Sequence, residues 1–188
     1  PQHHTIGRRL RQMCIRDRYY LNQVNNLQYK ITNNKNEPVK VEDKFSELRK
    51  KTVNSLSATT KQFQIKNLTN HPIKISLFST LLSYMGFSGY INPFTLEAHI
   101  NKNIPKISYP FTMSHEVAHQ YGISFENEAN FFGLKNTLNS NDKVINYSGK
   151  LMALQYLIYD LRLKDNKTGL KLINKLNGGV MKNLQEKR

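Results

Sequence analysis

The chain has 188 residues, enough for a single hydrophobic core, and carries 28 Lys and Arg against 13 Asp and Glu, for a formal charge of +15. It contains no internal repeat and no run of about eighteen apolar residues, so no segment of it reads as a membrane-spanning helix. Its one cysteine, Cys14, excludes an intrachain disulfide and a cysteine-built metal site.

Residues 13–18 read MCIRDR, which resembles the translation of a sequencing-library transposon adaptor, a contaminant familiar from metagenomic assemblies. Residues 1–18 are therefore set apart as a non-native segment, and residues 19–188 are read as one domain, truncated at both ends. Five arginines in that segment (8, 9, 11, 16 and 18) oppose one aspartate (17), so the remaining charge falls from +15 to +11. The remaining lysines are scattered among asparagines and form no stripe, and no nucleic-acid motif accompanies them, so no specific nucleic-acid partner is expected. The plain reading of these lysines is a solvated surface; if the parent is membrane-anchored, an anionic membrane surface is the better electrostatic partner, each nearby Lys or Arg contributing about 1 kcal/mol.

Along the chain, a helix is expected from about Val41 to Ser57 with Val41, Phe45, Leu48 and Leu56 on one face, then a helical or extended piece from about Lys61 to Leu68 that ends before His71-Pro72. Ile73 to Tyr84 reads as a strand entering a short helix. Gly86, Gly89 and Pro93 punctuate a hairpin whose second arm, Leu96 to Asn101, alternates as a strand should. Pro105 and Pro110 lead into a helix starting near Phe111 or Thr112, with Thr112 as its N-cap.

That helix opens the stretch HEVAHQYGISFENEAN, residues 115–130. His115 and His119 are four apart, one turn apart on one helix face, and can aim a nitrogen each at one metal ion. Glu116 points beside such an ion, placed to act on a water as general base. A catalytic zinc usually takes three protein ligands and leaves a fourth position open, so a third donor is required nearby. Glu126 is the choice over Glu128. On a helix Glu126 shares its face with Asn130, which can buttress a liganding histidine, whereas Glu128 is rotated about 200° away. Gly122, three residues past His119, can take a positive φ, end the first helix and turn the chain back toward the metal.

The pattern Glu-x-x-Ala-Asn after HExxH resembles the gluzincin peptidases, in which the first Glu of the second motif completes the zinc site. The glycine placement is similar to that of the metzincins, but Phe125 stands where those enzymes place a third histidine. More closely, SLFSTLLSYMGFSGYINPFTLEAHIN, PFTMSHEVAHQYG, ENEANFFG and YSGKL together resemble a bacterial family of membrane-anchored zinc peptidases (domain of unknown function 3810), over about residues 40 to 160. The resemblance implies a Zn2+ cofactor held by His115, His119 and Glu126, with Glu116 as base, and hydrolysis of a peptide or protein substrate. It also implies that the full-length parent is membrane-associated through N-terminal helices, which this chain does not show, and that this chain stops before the family's C-terminal segment ends.

In HExxH peptidases an edge strand beside the active-site helix pairs with extended substrate, so Glu97, Ala98, His99, Ile100 and Asn101 are expected to form that platform. His99 on it is either a substrate or oxyanion contact or simply exposed. After the second motif, Asn139 to Asp142 is turn-like, and Tyr147-Ser148-Gly149 precedes a helix from about Lys150 to Leu163 with Leu151, Leu154, Leu157, Ile158 and Leu161 as its buried stripe. Gluzincin-like sites often add a Tyr or His that donates to the oxyanion, and Tyr147 is the candidate, against ordinary packing. The tail contains Gly178-Gly179. The fold class expected is α+β and zincin-like: a small sheet whose edge strand packs on the HExxH helix, followed by further helices. The alternative to a zinc metallopeptidase is a catalytically inactive zinc-binding sensor or interaction module, which would not need Glu116.

Overall fold

A computed structural model describes residues 18–66, 68 and 70–186. Residues 1–17, including Cys14 and most of the adaptor-like run, lie outside them. In chain order the elements are α1 (residues 18–32), α2 (Phe45–Asn54), α3 (Leu56–Phe63), β1 (Ile73–Ile75), α4 (Ser79–Met85), β2 (Gly89–Ile91) and β3 (Ala98–Ile100). A 3-10 turn at Lys106–Ser108 then leads into α5 (Tyr109–Gln120), α6 (Glu126–Leu138), α7 (Lys143–Lys164), α8 (Asn166–Ile173) and α9 (Gly178–Gln185). The fold is mixed α+β, mainly helical, with one small sheet. No helix among the described residues is long and apolar enough to cross a membrane.

The chain divides into two compact units, one of residues up to 39 together with 150–185, the other of 40–149 with the last residues. In the first, side-chain amides join the early helix to the C-terminal ones. Asn177 donates to Gln28 Oε1 at 2.8 Å, and Asn183 both accepts from the Val39 amide at 2.9 Å and donates to its carbonyl at 3.1 Å. Leu151, Leu154, Ile158 and Leu161 form the buried stripe expected of α7, with Leu157 only half-buried.

The second unit carries the sheet, in the order β1-β3-β2. β1 runs parallel to β3 and β2 antiparallel to it, with Tyr90 and Lys74 both in register with His99. The long first helix expected from Val41 breaks at Ser55 into α2 and α3, and Gln64, in the left-handed region, ends α3. The core gathers Leu48 and Leu56 from these helices, Ile73, Ala98 and Ile100 from the sheet, Met113 and Val117 from α5 and Phe132 from α6. Ala98 and Ile100 are fully buried, so the period-two alternation sends His99 to the opposite face of the sheet from α5.

Two helix starts differ from expectation. α5 begins at Tyr109, so Thr112 is a buried residue inside it and not its cap. Pro110 sits in the first turn, where a helix needs no amide donor, and therefore belongs to the helix it was expected to precede. α7 begins at Lys143, with Asp142 Oδ1 accepting from the Val144 and Ile145 amides at 2.8 and 3.2 Å, so Tyr147-Ser148-Gly149 is helical.

Candidate metal centre

The end of α5 builds the first half of the site. Gly122 adopts φ +84°, its amide bonds the His119 carbonyl at 2.9 Å, and the Ile123 amide bonds the Ala118 carbonyl at 3.1 Å. This paired closure ends the helix with glycine in the left-handed region. It also swings the Ile123 carbonyl back under the helix, where it lies 2.7 Å from His119 Nδ1. A carbonyl can only accept, so Nδ1 carries the proton and Nε2 presents its lone pair.

That lone pair faces two others. His119 Nε2 lies 3.2 Å from His115 Nε2, and Glu126, the first residue of α6, places Oε2 3.2 Å from His115 Nε2 and Oε1 3.6 Å from His119 Nε2. These donor atoms lie within 4.8 Å of one another, a cluster able to hold a metal ion. Donors about 2.0–2.1 Å from a tetrahedral zinc stand about 3.3 Å apart, close to the 3.2 Å between the two imidazole nitrogens and the 3.2 Å from His115 Nε2 to Glu126 Oε2. The two imidazoles are largely buried, with 13% and 14% of their side chains exposed, and the Glu126 side chain is 76% exposed. The carboxylate closes the cluster from its solvent side. Burial first, and then the neighbouring His119, push the His115 imidazole below its usual range, which favours the neutral form that binds metal.

Glu116 is buried between α5 and the sheet, and its carboxyl is pushed up to about 8 by burial and by the charge of Glu126. Its neighbour on the sheet is Gly89. A Cβ built there would stand 2.7 Å from Glu116 Oε1 and 3.0 Å from the His99 carbonyl oxygen, so only glycine lets β2 approach this closely. α6 is held against α5 in a similar way, with a Cβ at Gly133 reaching 3.2 Å from the His115 amide nitrogen. Deeper in the crossing, the fully buried Asn136 donates to Ser114 Oγ at 2.9 Å and to the Thr52 carbonyl at 3.1 Å, and accepts from Thr59 Oγ1 at 3.1 Å. One amide thus ties α2, α3, α5 and α6 together next to His115.

The remaining sequence candidates divide. Asn130 lies near enough to His115 to support its protonated form, but His115 Nδ1 has no hydrogen bond within bonding distance. Glu128 is exposed and outside the cluster. Tyr147 is completely buried, and burial pushes its hydroxyl well above the usual range. A phenol with no exposed surface packs the interior and does not meet a substrate, so the oxyanion role expected for it is not supported by its position.

The expected substrate platform is also corrected. Glu97 to Asn101 belongs to the central strand, hydrogen-bonded on both sides, and cannot accept a further strand. His99 turns away from α5, stacks on Tyr90 with ring centroids 4.9 Å apart, and lies 3.8 Å from Glu97, which pairs with Lys74. Asn101 is buried and bonds Ser83 and the Phe87 carbonyl. Among the described residues, the strand beside Glu116 with an open edge is β2. The bonds Asn101 N–H to Ser88 and Asn92 N–H to Glu97 fix the bonded pairs at residues 88, 90 and 92, so Gly89 and Ile91 direct their N–H and C=O groups to the open side. Sequence reasoning missed this strand, the Ile123 carbonyl and Asn136. The one available signal was Gly89, read only as hairpin punctuation.

The family model described as Protein of unknown function (DUF3810) matches residues 8–188. The chain belongs to that family. The DUF3810 match takes in the MCIRDR run, so the exclusion of residues 1–18 finds no support in it. No curated protein and no solved structure matches the chain.

Proposed function

We propose that this DUF3810 chain is a zinc-dependent peptidase of zincin-like build, with His115, His119 and Glu126 as ligands and Glu116 as general base. The observation that carries this reading is the convergence of the three donors within reach of one ion, with a buried carboxyl one residue from the first ligand. Zinc bound there supplies Lewis acidity, acidifying a water and polarising a scissile carbonyl. The chain's own residues supply the rest. The Ile123 carbonyl holds His119 in its donor tautomer, and Gly89 leaves room for Glu116 to sit between helix and sheet. Glu116, in its ionised form, takes the proton of the attacking water and passes it to the leaving amine.

An extended peptide pairs with the outward N–H and C=O groups of Gly89 and Ile91 on β2, which sets its backbone beside Glu116. A zinc-holding sensor or interaction module would use the same ligands but would not need a carboxyl at residue 116. Zinc content and cleavage of a generic unfolded protein, measured for the chain and for Glu116→Gln, separate the two. The peptidase reading expects one zinc per chain in both and hydrolysis in the first alone. Equal turnover by both proteins, or no metal bound after zinc supplementation, would remove it.

A further inference from the structure

The short helix α4 turns its apolar side outward. Phe78 at its N-cap, Leu81, Tyr84 and Met85 are 62%, 57%, 88% and 57% exposed, and Leu77 just before it is 95% exposed. At about 100° per residue the first four fall on a single face about 120° wide. The opposite side fixes the helix in this orientation. Ser79 and Leu82 are buried, Ser79 Oγ accepts from the Lys102 amide at 3.0 Å, and Ser83 Oγ accepts from Asn101 and Asn103 at 3.0 and 3.2 Å. Single exposed apolar side chains are ordinary on a protein surface, but a contiguous row of them on one helix marks an interaction site.

The charge around this face indicates what covers it. Residues 75–96 contain no charged side chain, and the loop that holds α4 carries Lys102 and Lys106, both exposed, with no acid between Ala98 and Ser114. An apolar face whose supporting loop carries two exposed lysines and no acid matches an anionic lipid surface. Size points the same way. Seven residues make a helix about 10 Å long, which offers far less than the roughly 800 Å² per partner of a stable protein interface, while shallow insertion at a headgroup boundary requires no more than such a face.

We propose that α4 is an interfacial helix that lies in the plane of an anionic bilayer, with Phe78, Leu81 and Tyr84 among the acyl chains and Lys102 and Lys106 at the phosphates. This does not depend on the metal reading. It does place the open edge of β2, which begins three residues after Gly86 ends the turn from α4, close to the lipid surface.

The full chain has no tryptophan, so Leu81→Trp installs a lone fluorescent reporter on this face. With vesicles of phosphatidylcholine and phosphatidylglycerol, the chain sediments with the lipid, the reporter's emission shifts to the blue, and salt weakens both effects. Leu77→Ser, Leu81→Ser and Tyr84→Ser together lower partitioning by at least about tenfold, since even one buried leucine is worth that factor. Their side chains are already exposed, so circular dichroism stays unchanged. Lys102→Gln with Lys106→Gln lowers binding to the anionic vesicles and leaves binding to phosphatidylcholine alone as it was. The proposal is overturned if the unmodified chain stays in the supernatant or if the triple serine variant sediments like it. It is equally overturned if the blue shift appears without lipid and grows with protein concentration, because a second copy then covers the face.

Discussion

Gly89 and Glu116 approach so closely that a single methyl group at residue 89 would meet the Glu116 carboxyl at 2.7 Å. Glu116 is buried and the His99 carbonyl blocks the other side at 3.0 Å, so Gly89→Ala must displace the carboxyl. The three donors at residues 115, 119 and 126 are not touched. The expected outcome is a chain that binds zinc as before and hydrolyses peptide about a hundredfold more slowly, the order of loss for a misplacement of about 1 Å. Parallel zinc titration and turnover measurements check it, and undiminished turnover would show that Glu116 needs no such space.

Asn136 joins four helices with one side chain, and its partners are buried. Asn136→Ala removes one hydrogen bond from each of the Thr59 and Ser114 hydroxyls and the Thr52 carbonyl, which keep their bonds to the Ser55 carbonyl, the Pro110 carbonyl and the Ser55 hydroxyl, at a cost of about 1–3 kcal/mol for the three bonds together. For a chain of this length that lowers Tm by roughly 2–10 °C. Thermal denaturation reads it directly. A variant as stable as the unmodified chain would mean that the crossing of α5 and α6 is held by apolar packing alone.

These two relationships also mark where sequence reading stops. The His115, His119 and Glu126 cluster was legible because helical periodicity alone places residues i and i+4, and Gly122 announced the turn between the two helices. Strand order was not legible. Ala98 and Ile100 alternate correctly whether β3 is central or at an edge, and the three residues of β1 that cover its other side pair from 25 positions away, a partnership that no local pattern encodes. The start of α7 was missed for a different reason. Ser148-Gly149 reads as a turn by propensity, but the Asp142 cap and the packing of Gly149 against Thr137 keep the segment helical.

Asp142 supports a pH prediction. Burial raises its carboxyl, but the Ile145 amide, the Lys51 ammonium and the Val144 amide together outweigh burial and hold it below the usual carboxylate range. Lys51 stands 3.2 Å away. A carboxyl with a depressed folded pKa contributes stability that is fully present above its unfolded value, near 3.8, and is lost as pH falls through the folded one. Asp142→Ala therefore costs about 1 kcal/mol at pH 7, the usual worth of an N-cap, and the difference from the unmodified chain closes as the pH is lowered below 4. Denaturant titrations at several pH values test it; a difference that persists unchanged in acid contradicts the ion's part in the cap.

The choice between two carboxylates gives the sharpest test of the site. Glu126 lies 3.2 and 3.6 Å from the two imidazole nitrogens, Glu128 is exposed and outside the cluster, and Asn130 is beside His115 without bonding its Nδ1. Zinc that binds only the folded chain stabilises it by about 2.7 kcal/mol at a hundredfold excess over Kd, or roughly 5–10 °C in Tm for a chain of this length. Glu126→Ala removes a ligand and abolishes that shift. Asn130→Ala removes a polar group beside His115 that can buttress it as a ligand, so the shift survives but needs about ten to a hundred times more zinc. Glu128→Ala leaves the zinc dependence unchanged. Differential scanning fluorimetry across a zinc series orders the three, and the same series without zinc shows whether any variant has simply lost its fold. If Glu128→Ala loses the shift while Glu126→Ala keeps it, α6 turns its other face to the metal and the ligand assignment must be reversed.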